Sequence, residues 1–182
     1  IKSLGDLRFQ GIAAATGLSA RNGAERHGFE YCATDYREVL GDASVDLVFV
    51  LTRHDSHAHL AAEALEAGKH VFVEKPLALN VDQLNDVQDA VDRTTVEGGP
   101  SPVLMVGFNR RFSPLARWLK ERFAGFDEPL SVHCTVNAGP VDSGSWVHDP
   151  EQGGGRIVGE VCHYVDLIQY FTGSLPAAVH AE

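Results

Sequence analysis

At 182 residues, 44% hydrophobic and 22% charged, the chain has the make-up of an ordinary globular protein with one sizeable core, or one domain and part of a second. A net charge of -10, with Arg110 and Arg111 the only basic cluster, argues against a nucleic-acid backbone as the main partner. Cys32, Cys134 and Cys162 show no CxxC spacing, no apolar run nears the roughly 20 residues of a membrane helix, and no basic-then-apolar leader opens the chain, so a reducing, cytoplasmic setting is expected.

In chain order, "LRFQGIAAA" from Leu7 reads as a strand, and Ser19 is expected to cap a short helix stopped at His27 and Gly28. A short strand around Tyr31 and Cys32 precedes a brief helix in "DYREVLGD". The run "VDLVFVLT", residues 45–52, predicts a fully buried strand, because Leu47 to Leu51 is apolar without alternation. Ser56 then caps a helix with Leu60, Ala61, Ala64 and Leu65 on one face, ending at Gly68, and the strand "HVFV" follows at once.

Asn80 and Gln83 suggest a capping box for a helix presenting Leu84, Val87 and Val91 inward. After "EGGPSP" comes the strand "VLMVGF", residues 103–108, and then a helix begun by Ser113 and Pro114. Strands and helices alternating at this spacing predict a doubly wound, parallel, Rossmann-type α/β domain over residues 1–128. Residues 129–182 are expected to open an α+β domain, with an alternating strand in "LSVHCTVNAG", a Gly-rich loop, a helix over 156–172 and a strand start in "AAVHAE".

Open parallel sheets bind ligands outside the carboxyl ends of their strands, and that is where the out-of-place polar residues collect. Thr16 follows the first strand, Thr52 and Arg53 the third, Glu74, Lys75 and Pro76 the fourth, and Asn109 and Arg110 the fifth. Pro76 excludes the α-region for Lys75 and makes a cis bond accessible, which would stiffen the lysine. An exposed lysine in an ordinary turn is the bland alternative.

On the last helix Arg156, Glu160, His163 and Asp166 share one side, and Ile157, Val161, Val165 and Ile168 the other. A histidine with a carboxylate three residues to each side suits a general acid or base, its tautomer fixed and its imidazolium favoured; a solvated helix face fits the spacing as well. His54, His57 and His59 offer a metal-hydrolase reading, opposed by geometry: residues two apart on a helix diverge by about 200°. No metal is expected, and His57 reads better as a wall of a ligand pocket.

Taken together, "DYREVLGDASVDLVFVLT", "HAHLAAEALEAGKHVFVEKPLALN", "VGFNRRFSP" and "GGGRIVGEVCHYVDL" resemble the glucose-fructose oxidoreductase and myo-inositol dehydrogenase family, Gfo/Idh/MocA. The variants "GFNRRFSP" and "GEVCH" resemble the branch in which the module is fused behind an alcohol-dehydrogenase-like module. The resemblance implies an NAD(P)-dependent oxidoreductase that moves hydride between nicotinamide and a hydroxyl carbon of a sugar, cyclitol or sugar nucleotide. It assigns Lys75 as the lysine of the EKP motif and His163 as the catalytic histidine. Thr52, His57, Glu74 and Trp146 fall to the cofactor pocket, with Arg53, Pro76, Asn109 and Arg110 beside them. A homo-oligomer is expected.

Three departures accompany the resemblance. The chain opens past the GxGxxG turn with which family members begin, and it is expected to stop soon after the first helix of the substrate domain. Where the family places an Asp four residues before the histidine this chain has Gly159, so Glu160 enters as the candidate replacement. Where an Asp usually meets the adenosine ribose stands Thr16, with Ser19 and Arg21 after it, which favours NADP over NAD. A non-catalytic sensor of dinucleotide or sugar with the same fold is the rival consistent with the missing Asp.

Overall fold

The computed structural model describes residues 7–126 and 128–181, which divide into two compact units. The first comprises the segment ending at Val50 together with His59–Phe72 and Asn85–Met105; the second comprises Leu51–Ala58, Val73–Leu84 and the chain from Val106 onward. No helix among the described residues is long and apolar enough to cross a membrane.

The first unit opens with the parallel pair β1 (Gly11–Ala13) and β2 (Tyr31–Ala33), in which Gly11 stands opposite Tyr31. A Cβ on Gly11 would lie 2.4 Å from the Tyr31 ring, so this register requires a residue without a side chain there. Between them runs α1 (Gly17–His27), ended by Gly28 at φ 77°, in the left-handed region glycine adopts readily. Its N-cap is Thr16, whose hydroxyl accepts the Ser19 N–H at 3.2 Å. Ser19, expected as the cap, lies inside the helix and takes a hydrogen bond from Thr16 at 2.9 Å, because the extended backbone needed at a cap falls on Thr16. Asp35 caps α2 (Tyr36–Leu40) through the Arg37 N–H.

A second ladder holds β3 (Leu47–Val50), β4 (His70–Val73) and β5 (Leu104–Val106) in that order. His70 N–H donates to Asp46 and Val71 N–H to Val103, so each strand's start lies beside its neighbour's start and the strands are parallel. Leu65, Val71 and Val87, from α3 (His57–Glu66), β4 and α4 (Val81–Thr94), are fully buried, and each such side chain contributes about 1.5–3 kcal/mol. Between α3 and β4, Lys69 is buried yet satisfied, its ammonium donating to the Asp42 carbonyl at 2.7 Å.

Two packing expectations fail here. β3 is not buried on both faces: Leu47 and Phe49 are more than a third exposed while Val50 is buried, since successive side chains of a strand face opposite ways and one way is covered. In α4, Val87 and Ala90 are buried, whereas Leu84 is half exposed. The capping box forms in part: Asn80 accepts the Gln83 N–H, but Gln83 reaches back to the Leu79 N–H.

The second unit contains the chain segments that follow β3, β4 and β5 in sequence. Ser113 caps α5 (Pro114–Arg122), whose first residue is the expected proline. Residues 130–140 form no strand, and neither do 177–181; a strand is held by ladder hydrogen bonds, and these segments find no partner strand among the described residues. The final helix is in two parts, a π-helical turn at Ile157–Val161 and then α6 (Cys162–Thr172), closed by Gly173 at φ 71°. Its faces are the reverse of a solvated polar side: His163 and Asp166 are buried, and Ile157, Val161 and Val165 are exposed.

Candidate active site

Within the second unit, the turn after β3 is built by hydroxyls and one buried ring. Ser56, expected to cap α3, instead donates to the Arg53 carbonyl at 2.8 Å and receives Thr52 at 2.5 Å, because a 3₁₀ turn over His54–Ser56 precedes the helix. His57, 1% exposed, donates from Nδ1 to the Pro76 carbonyl at 2.8 Å, and its Nε2 lies 3.1 Å from the Thr52 carbonyl. The ring thus ties the end of β3 to the turn after β4, where the Lys75–Pro76 bond is cis. Among the described residues no three His, Cys, Asp or Glu side chains are grouped to hold a metal; His57 has both nitrogens on carbonyls and His54 has one there.

Lys75 is largely buried. Its ammonium donates to the Gly159 carbonyl at 2.5 Å and lies 3.4 Å from Glu160 Oε1. The acceptor is on the π-helical turn, a wider winding that redirects backbone groups and is frequent at functional sites. Glu160 on this turn lies within reach of Lys75 although one helical step separates it from the expected Asp position. Glu160 is nearly half exposed, so solvent screens this pair.

His163 is 5% exposed, and its Nδ1 is buried with no hydrogen-bond partner among the described residues. Burial first, then the nearby charges of Lys75 and Arg110, push its pKa below the ordinary histidine value; Glu160 and Glu74 pull the other way and lose. This corrects the expectation of a favoured imidazolium with its tautomer fixed by flanking carboxylates. Asp166 is committed to Arg111 in a two-pronged ion pair and Glu160 lies against Lys75, so neither holds the His163 ring.

Trp146, in the turn Trp146–His148, carries the Arg53 guanidinium over its face at 5.5 Å and meets the His54 ring edge-on at 4.8 Å. Asn109 and Arg110 lie exposed on the turn Asn109–Phe112, with Arg110 over the Tyr164 ring at 4.8 Å. Glu74 is half-buried and acts on His163 through its charge. Thr16, Ser19 and Arg21 are exposed at the start of α1 in the first unit.

The glycine triplet explains how the loop before the π turn closes. A Cβ on Gly153 would stand 2.5 Å from the Trp146 carbonyl oxygen and from the Cα and carbonyl oxygen of Val147, all backbone atoms that cannot swing aside. Gly153→Ala is therefore expected to lower stability by about 2 kcal/mol or more through overpacking, measured by chemical denaturation; a loss below about 0.5 kcal/mol, the usual scale of surface changes, would show that the loop yields. The participants least visible in the sequence are Gly159, whose carbonyl receives Lys75, and the Arg111–Asp166 pair. A glycine one turn before a candidate histidine is the signal that marks the first.

Comparison with known proteins then bears on what such a site belongs to. Residues 2–97 match the NAD-binding Rossmann-fold profile of the Gfo/Idh/MocA oxidoreductase family, and residues 119–182 match the profile of its C-terminal domain. Levoglucosan dehydrogenase of Pseudarthrobacter phenanthrenivorans is 31% identical over 91% of this chain and 43% of its own length. The uncharacterized oxidoreductase YrbE of Bacillus subtilis is 28% identical over the whole chain and 51% of its own length. An oxidoreductase domain protein from Kribbella flavida superposes with a TM-score of 0.76 at 30% identity, covering 92% of this chain and 45% of that one. Levoglucosan dehydrogenase solved with NADH and levoglucosan gives 0.73 at 27% identity, over 92% of this chain and 45% of that one. The chain spans about half the length of the curated relatives it matches. A Rossmann-type parallel fold and a matching profile over more than half its residues place the chain in the Gfo/Idh/MocA family of NAD-binding oxidoreductases.

Proposed function

We propose that this chain supplies the reaction centre of an NAD(P)-dependent oxidoreductase acting on a hydroxyl carbon of a sugar, cyclitol or sugar nucleotide. The observation that carries the reading is the joint position of Lys75 and His163: a largely buried ammonium held by Gly159 and Glu160, near enough to His163 to depress its pKa. An imidazole kept neutral by burial can give or take a proton, and with Nδ1 sealed the nitrogen open to a substrate is Nε2, which is not among the buried unpartnered atoms. Lys75 serves as the fixed positive group against which a substrate oxygen gains negative charge as its proton departs to His163. Glu160 stands as the positioning residue for Lys75.

The residues fit a nicotinamide-bearing ligand: the orphaned His163 Nδ1 and the Trp146 ring, flanked by Arg53 and His54, combine a polar group awaiting a partner with a flat apolar surface. Bound nicotinamide would supply the hydride exchange. Thr52, Arg53, His57, Glu74, Pro76, Asn109, Arg110 and Trp146 are proposed for its pocket, and Thr16, Ser19 and Arg21 for the adenosine end. NADP is preferred to NAD in this reading because Thr16 leaves no carboxylate to repel a 2′-phosphate. The levoglucosan dehydrogenase relative was solved with NADH, so cofactor choice is a point on which this chain is read as departing from it.

A domain division at 128/129, a homo-oligomer in the cytoplasm and fusion to an alcohol-dehydrogenase-like module belong to the same proposal. The test is reduction of NADP+ followed by absorbance with myo-inositol, scyllo-inositol and levoglucosan. Turnover with any of them supports the oxidoreductase; saturable nucleotide and polyol binding with no turnover gives the sensor reading instead.

A further inference from the structure

Three histidines of the second unit differ in what their nitrogens do. His57 has both nitrogens against carbonyls, His163 has a sealed Nδ1 without a partner, and His54 is half committed. His54 Nδ1 lies 2.9 Å from the Gly153 carbonyl. A carbonyl only accepts, so the N–H is on Nδ1, and in the neutral ring Nε2 is a bare lone pair. Nε2 has no partner among the described residues, and it is not one of the buried unpartnered atoms, so solvent or a ligand reaches it.

The ring is also preset. Trp146 meets it edge-on, Asp55 N–H donates to the Gln152 carbonyl at 3.2 Å, and Arg53 Nη1 donates to Gln152 Oε1 at 3.2 Å, so the histidine-bearing turn is latched to the Gly-rich loop on both sides of His54. Burial, then the charges of His57 and Lys75, hold its pKa below the ordinary value against the Gly153 carbonyl and Glu160, which favour the cation. Finally, His54 Cε1, the carbon joining the two nitrogens, stands 3.3 Å from where a Cβ on Gly159 would be. The Gly159 carbonyl receives the Lys75 ammonium. A donor and an acceptor therefore flank one residue.

We propose that His54 is a specificity-determining residue of this site, its Nε2 accepting a hydrogen bond from a substrate hydroxyl adjacent to the one that Lys75 addresses. The inference rests on the polyol-oxidoreductase reading above and narrows it to substrates with two neighbouring hydroxyls. A Cβ at position 159 would crowd the ring at 3.3 Å, a contact the ring could relieve only by shifting a few tenths of an ångström.

Long-range 1H–15N NMR of the histidine-labelled chain tests it, with myo-inositol and levoglucosan titrated in the presence of NADP+. The expected result is the Nδ1–H tautomer of His54 at pH 7 and a displaced Nε2 resonance on polyol addition. His54→Phe, which keeps a ring edge for Trp146 and removes both nitrogens, should weaken polyol binding about tenfold, the scale of one hydrogen bond. Gly159→Ala, by pressing on the ring, should also shift the His54 resonances. An Nε2–H tautomer or an imidazolium at pH 7 overturns the proposal, and so does polyol binding that moves His163 while leaving His54 Nε2 unmoved. If the polyols move neither ring, the functional reading itself fails. The titration of the unmutated chain decides the matter even where a variant does not fold.

Discussion

Lys75→Ala is expected to reduce turnover by about 10²–10⁴-fold, the range for loss of a positioned proton-transfer or charge-stabilising group, while nucleotide affinity changes little. The structural reason is that the contacts of Lys75, the Gly159 carbonyl and Glu160, are not among the residues proposed for the nucleotide pocket. Removing the ammonium leaves that carbonyl on a π-helical turn without its partner, a local cost of about 1–3 kcal/mol that denaturation can measure separately. It also removes one of the charges that depress the His163 pKa, so His163 should titrate at higher pH in the variant. Equal losses in nucleotide affinity and turnover would make Lys75 a structural residue. Unchanged turnover would take it out of the chemistry altogether.

The fold was largely legible because alternation of element type is a property of sequence. The glycine stops, the Ser113 cap with Pro114 after it and the short apolar runs fall where β1 to β5 and α1 to α5 form, whereas the caps expected at Ser19 and Ser56 do not. Burial was not legible to the same degree. The run from Leu47 to Leu51 is continuously apolar, yet which of its faces is covered depends on other segments, and Phe49 ends more than a third exposed beside Phe72. The candidate site shows the same division. Placement of Lys75 after a parallel strand follows from sequence physics, and the role proposed for it rests on the resemblance to the family. The partner that holds it is a backbone carbonyl, which no side-chain pattern announces. Gly159 looked like a lost carboxylate; the structure shows a close approach of the His54 ring and a carbonyl turned toward an ammonium.

Arg111 is the second position where a large effect is expected, this time on stability. Its guanidinium meets Asp166 through two bonds, Nε to Oδ2 at 2.9 Å and Nη2 to Oδ1, and also lies over the Tyr170 ring. The pair is asymmetric: the Asp166 side chain is 7% exposed and that of Arg111 is 34% exposed. Deleting the arginine strands a buried carboxylate, and Arg111→Ala should therefore cost about 3 kcal/mol, toward the lower end for a broken buried pair because water reaches one partner. Asp166→Asn leaves a guanidinium that water can solvate and should cost closer to 1 kcal/mol. Replacing both, as Arg111→Met with Asp166→Leu, removes the desolvated charges together and should return to within about 1–2 kcal/mol of the parent. The order of the three in chemical denaturation is the test, and a double variant less stable than Arg111→Ala would defeat the argument. A functional consequence follows from where the pair sits. Asp166 lies one turn after His163 on α6, and Arg111 lies next to Arg110 on the turn after β5, so the bond fixes the register of the histidine-bearing helix against that turn. If so, the destabilised Arg111→Ala should also lose turnover at temperatures where it remains folded, and the double variant, though stable, should not recover it.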